Sequence, residues 1–158
     1  RHYQTGEIIP DELVQKLEAS SKFNEGFVLV EYMSAAFLDM DWHTIKEPFT
    51  GDVNVFETNA MNEIGLIPEI VVRYRSTYFS HIFSGGYAAG YYSYVWAEIL
   101  DADAFGAFKE TSVFDKNTAN SFRENILSRG GTEDPMEMYI KFRGREPQID
   151  ALLERKGL

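Results

Sequence analysis

The stretch from Phe23 to about His43 constrains the fold most. Phe27, Val30, Met33 and Phe37 recur near helical spacing, so it reads as one long helix. Ala35, Ala36, Phe37 and Leu38 are consecutive, which makes that helix apolar almost all round. Helices of this kind are covered on several sides. The remaining predicted helices are modest, so full cover favours a partner domain.

Helix punctuation is frequent elsewhere. Pro10, Asp11 and Glu12 form a proline-and-acid first turn, with Leu13, Val14 and Leu17 as its apolar face. Asp52 can cap a third helix that carries Phe56, Met61 and Ile64 and stops at Gly65. Glu69 to Phe79 reads as irregular, and a helix is expected from about Tyr87 to Lys109. Thr118 is the expected cap of a helix ending near Gly130-Gly131. Asp134, Pro135 and Glu137 open another that stops at Gly144, and Glu146-Pro147 is the expected start of the last. About seven helices, short connections and no hairpin signals predict an all-α fold. No linker or repeat divides residues 1–158, which read as a single helical segment.

Composition narrows the functions. With 158 residues and 44% hydrophobic content the chain can bury a core. Twenty-five acidic against fifteen basic residues give a formal charge of −10, which repels phosphate backbones and anionic membranes. Nucleic-acid and membrane partners are therefore not expected. No cysteine is present, so neither disulfides nor thiolate metal sites arise, and a reducing cytoplasm suits the chain. Arg1-His2-Tyr3-Gln4 is neither a signal peptide nor a natural start; a trimmed tag or a cut from a longer chain would each produce it.

Chemistry-bearing patterns are few. His2, His43 and His81 are the only histidines, and no pair flanks a Glu at helical zinc spacing. No metal site is predicted. His43 and Glu47 are i and i+4, more simply a helix-end hydrogen bond. No Gly-x-Ser-x-Gly elbow and no phosphate loop appear.

The informative segment runs from His81 to Trp96. Gly85 and Gly86 allow another backbone to approach closely. On a following helix, Tyr87, Tyr91 and Tyr94 would share one face at i, i+4 and i+7, while Tyr92, Val95, Trp96 and Ile99 would face the core. A phenol of pKa about 10 keeps its proton at neutral pH and can donate to an oxyanion. By itself, such a stripe serves a core or an interface more often than a cleft.

A run of motifs extends along nearly the whole chain. It includes Thr5-Gly6-Glu7, Leu38-Asp39-Met40-Asp41-Trp42-His43 and Arg73-Tyr74-Arg75-Ser76. Gly85-Gly86-Tyr87, Trp96-Ala97-Glu98, Ser128-Arg129-Gly130-Gly131 and Phe142-Arg143-Gly144-Arg145-Glu146-Pro147 follow in order. Together they resemble the thimet oligopeptidase and peptidyl-dipeptidase (dipeptidyl carboxypeptidase) family of zinc metallopeptidases. The forms around Asp39 and Tyr87 are closer to the bacterial peptidyl-dipeptidase branch.

The resemblance implies the carboxy-terminal portion of a larger helical zincin catalytic domain, with the zinc ligands in an upstream part. It implies peptide substrates, zinc in the full-length enzyme and none in this chain. Tyr94 resembles the tyrosine that donates to the tetrahedral intermediate, Tyr87 a second donor and His81 a loop histidine that positions the peptide. Gly85, Gly86 and Tyr91 fall in the segment that closes over substrate. Arg73 or Arg75 could bind a substrate carboxylate, although structural pairing is the simpler role for both. The alternative is a non-enzymatic helical module that binds a partner helix or peptide through its tyrosine face.

Overall fold

Eight α-helices and no strand make up the computed structural model, which describes residues 1–158. The fold is all-α. Contacts gather the chain into two compact units, Arg1–Tyr92 with Lys156–Leu158, and Ser93–Arg155. No linker in the sequence marks that division.

The first unit contains α1 (Asp11–Ser20), α2 (Glu25–His43), α3 (Val53–Glu63) and the short α4 (Ser80–Phe83). Helix α2 begins slightly later than expected, after Asn24 in the left-handed region. It buries Ala35, Leu38, Ser34 and Asp39, while Phe27, Val30 and Phe37 stay half exposed. Helix α3 starts where Asp52 accepts hydrogen bonds from the amides of Asn54 and Val55, at 2.7 and 3.1 Å. It ends before Gly65, whose φ of +69° suits glycine.

The core of this unit joins Ala35 and Leu38 to Ala60, Met61, Val72, Phe79, Ile82 and Tyr91. Trp42 packs at a tilt against Phe56, with centroids 4.0 Å apart, and its indole N–H donates to Ser76 Oγ at 2.9 Å. The segment read as irregular is pinned by a buried acid. Glu57 accepts the Ser76 amide at 2.6 Å and pairs with Arg75. This segment also holds a 3-10 turn at Ser76–Tyr78, and α4 directly after it is the helix the sequence reading did not count.

The second unit contains α5 (Ser93–Glu110), α6 (Lys116–Phe122), α7 (Pro135–Arg143) and most of α8 (Asp150–Lys156). Helix α6 is capped by Asp115, not Thr118: Asp115 Oδ1 accepts the Thr118 amide at 2.7 Å and its hydroxyl at 2.9 Å. A carboxylate three residues earlier outcompetes the hydroxyl as acceptor. The helix runs on into a π-helical turn, Arg123–Leu127. Asp134 and Gly144 bound α7 as expected. The last helix starts at Asp150, beyond the Glu146-Pro147 start expected for it.

Asp103 anchors this unit. It is buried on α5, accepts the Tyr139 hydroxyl at 2.6 Å and takes two hydrogen bonds from Arg145, at 2.6 and 3.0 Å. Burial opposes its charge. The hydrogen bonds from Arg145 and Tyr139, with the Arg145 and Arg143 charges, win and hold the carboxyl below its usual range. Its folded value lies below its unfolded value, so the stabilisation is complete above about pH 4 and is lost as pH falls through the folded value. Asp103→Asn is expected to cost about 2–3 kcal/mol at neutral pH and to flatten the acid limb of stability. Urea unfolding at pH 7 and in steps below about pH 4 checks both; equal midpoints for the two proteins at pH 7 would contradict it.

Candidate functional site: the tyrosine turn

The residues between α4 and α5 form a closely held turn, and Tyr87 does not begin a helix. A backbone angle inside the stretch, at Ala89, prevents one. Gly86 has φ +85° and Ala89 has φ +52°, both in the left-handed region. Left-handed geometry costs an L residue about 1–2 kcal/mol, so Ala89 needs compensation.

Gly85 has a steric role. A Cβ there would lie 2.9 Å from the His81 carbonyl oxygen and 3.0 Å from His81 Cα. Main chain passes over main chain, and only glycine fits. The close backbone approach anticipated at the double glycine is thus internal to the chain. The Tyr87 amide then donates to the His81 carbonyl at 3.0 Å, and the Gly90 amide to the Tyr87 carbonyl at 2.8 Å.

The compensation comes from α2. Asp39 has no exposed surface, and its two oxygens accept the amides of Ala89 and Tyr91, each at 2.9 Å. Two alternate amides thus converge on one carboxylate, one on each oxygen, while the Gly90 amide between them turns to the Tyr87 carbonyl. Charge-assisted bonds of this sort contribute about 1.5–3 kcal/mol, enough to offset the Ala89 backbone. His43 Nδ1 lies 2.8 Å from an Asp39 carboxylate oxygen and 2.8 Å from the Asp39 carbonyl. Both neighbours are acceptors, so Nδ1 carries the hydrogen. His43 therefore bonds within its own helix, not to Glu47.

This geometry separates the three tyrosines. Tyr91 is 3% exposed and lies in the core, its ring 5.1 Å from Phe79, 5.7 Å from Tyr32 and 5.8 Å from His81. Burial raises its pKa, so it stays protonated. Tyr87, in the turn, is 36% exposed and stands 6.2 Å from the His81 ring. Tyr94, on the first turn of α5, is also 36% exposed. The expectation of one helical face carrying all three is incorrect, because the left-handed Ala89 ends helical geometry before Ser93. Tyr92 and Trp96, expected in the core, are exposed.

His81 is half buried on α4, 4.8 Å from the Tyr74 ring. Its Nδ1 is buried without a hydrogen-bond partner. A buried N–H lacking an acceptor is costly, so Nδ1 holds the lone pair and Nε2 the hydrogen. His81 is then a donor through Nε2.

The two candidate arginines differ. Arg75 is committed to the buried Glu57. Arg73 is exposed, its guanidinium 5.7 Å from the Tyr32 ring and 5.6 Å from the Tyr74 ring. Its charge faces rings and is not consumed by a carboxylate.

Sequence reasoning overlooked Asp39 and Glu57, the two acids that shape this region. A signal for Asp39 was available: a carboxylate beside Ala35 and Leu38 on an apolar helix must find a partner. No group of three or more His, Asp or Glu is gathered to hold a metal. His43 is engaged with Asp39, and His81 buries one nitrogen among rings. The residues present do not fit a zinc centre, and no helix is long and apolar enough to cross a membrane.

Comparison with known proteins places this chain in a family. Residues 1–158 match the profile of Peptidase family M3 along their whole length. Dipeptidyl carboxypeptidase of Escherichia coli (strain K12) is 46% identical over 160 residues, covering 100% of this chain and 24% of that protein. Oligopeptidase A of the same organism is 43% identical over 159 residues, covering 99% of this chain and 23% of the relative. Saccharolysin of Saccharomyces cerevisiae is 32% identical over 162 residues, with 99% and 22% covered. The chain thus spans about a quarter of the length of the curated relatives it matches. On a match that leaves no part of it uncovered, the chain belongs to Peptidase family M3.

Proposed function

We propose that this chain is the donor-presenting part of a longer zinc peptidase that cleaves short peptides and releases C-terminal dipeptides. The observation that carries the reading is the fixed turn from His81 to Tyr91. It leaves the Tyr87 phenol half exposed beside a histidine whose available hydrogen is on Nε2. The similarity to a dipeptidyl carboxypeptidase supports peptides as the substrate class. Zinc and its ligands belong to a part of the protein outside residues 1–158, and a cytoplasmic setting suits a cysteine-free acidic chain.

Within this reading, His81 Nε2–H donates to a carbonyl of the bound peptide and holds its backbone. The Tyr94 hydroxyl donates to the scissile carbonyl oxygen as it gains negative charge, and Tyr87 is the second donor. Donors aimed at developing charge stabilise the transition state more than the bound substrate. Gly85 and Gly86 set where the turn lies. Tyr91 supports it from beneath and is a packing residue here, not a donor to substrate. Arg73, held by Tyr74 and two rings but paired with no carboxylate, is the better candidate of the two arginines for a free C-terminal carboxylate, through a bidentate contact.

Purified alone, residues 1–158 are expected to hold no stoichiometric zinc and to turn over no peptide. Metal analysis and a quenched-peptide assay test this, and zinc with turnover would overturn it. In the full-length protein, Tyr94→Phe is expected to lower kcat by the equivalent of about 2.7–4 kcal/mol with zinc content unchanged. A variant with wild-type kcat removes Tyr94 from the catalytic residues.

Arg73→Gln is expected to raise KM about tenfold or more for peptides with a free C-terminus and to leave C-terminally amidated peptides unaffected. Equal effects on the two substrate sets would rule out carboxylate recognition by Arg73.

A further inference from the structure

We infer that Asp39 is the positioning residue of the tyrosine turn, and that its carboxylate sets the catalytic placement of Tyr87 from the far side of the loop. The inference rests on the peptidase reading above. Asp39 lies near the C-terminal end of α2 with no exposed surface.

Both of its oxygens are spent on main chain fifty residues away, Oδ1 on the Ala89 amide and Oδ2 on the Tyr91 amide. Those two amides bracket Gly90, whose own amide donates to the Tyr87 carbonyl. One carboxylate thereby grips the turn just after Tyr87, while the His81 carbonyl grips Tyr87 from the other end through its amide. The phenol is held between a fixed helix and a fixed carbonyl. His43 Nδ1, hydrogen-bonded to the Asp39 carbonyl, also lies 2.8 Å from the carboxylate and flanks it on the next helical turn.

Side-chain chemistry specifies a graded test. Asparagine keeps one acceptor oxygen and turns its amide nitrogen toward a second N–H, so Asp39→Asn retains one of the two bonds. Asp39→Ala retains neither.

In the full-length protein, hydrogen–deuterium exchange of a peptide spanning residues 86–92 is expected to gain one fast-exchanging amide in Asp39→Asn and two in Asp39→Ala. Peptides from α3 should be unchanged. kcat should fall in the same order, by up to about 100-fold in Asp39→Ala, with a smaller change in KM, since misplacing a donor by about 1 Å costs on that order. If Asp39→Ala fails to fold, the asparagine variant and the wild type carry the test: in the wild type the Ala89 and Tyr91 amides must exchange more slowly than those of Gly85 and Gly86. Unchanged exchange in residues 86–92, or a kcat loss that only follows the folded fraction, overturns the inference. A full-length wild type without peptidase activity would instead defeat the functional reading, and the exchange data would still decide whether Asp39 holds the turn.

Discussion

A fully buried carboxylate inside an apolar helix is an expensive thing to fold around, and the first unit is arranged to satisfy it. The Asp39 carboxylate draws two loop amides onto itself, with the His43 ring 2.8 Å from one of its oxygens. In satisfying that charge the chain adopts the left-handed Ala89, ends helical geometry before Ser93 and drops the Tyr91 ring among Phe79, Tyr32 and His81. Without the anion, nothing else there repays the Ala89 backbone, and the path from His81 to Tyr91 has no reason to hold one shape.

The same device recurs. Glu57 on α3 binds the Ser76 amide and Arg75, and so pins a segment with little regular structure of its own. Asp103 on α5 gathers Tyr139 and Arg145. In each case a helix provides a rigid base for a carboxylate; Asp39 and Glu57 order non-helical chain, and Asp103 ties α7 and the residues just after it to α5. Buried acids left unpaired would be ruinous. Paired, each fixes a segment that apolar contacts alone would leave loosely placed.

Helix existence was legible in the sequence because helix ends are written locally. Asp52, Asp134, Gly65 and Gly144 act within a few residues of where they stand. The all-α class and the boundaries of α3 and α7 follow from such signals. The tyrosine turn was misread because its cause is remote: helical spacing from Tyr87 to Tyr94 is a local pattern, overridden by an acid fifty residues earlier. The same limit explains the two arginines. Arg73 and Arg75 are nearly equivalent as letters, and only the fold reveals that Glu57 takes one of them. The motif run identified the family, and with it the residues to inspect, but not which of them touch one another.

The separation of the tyrosines has a consequence for how the turn can work. On a helix, three phenols on one face would be equally exposed and would move together. In the turn, the middle ring is sealed at 3% exposure while Tyr87 keeps 36%. A buried aromatic with neighbours at 5.1 to 5.8 Å resists displacement, because any shift opens a gap that the surrounding rings cannot fill. Tyr91 therefore immobilises the backbone from one side while Asp39 holds its amide from the other. A donor mounted on such a backbone needs little reorganisation when charge appears before it, and that is the condition under which a phenol contributes most to a transition state.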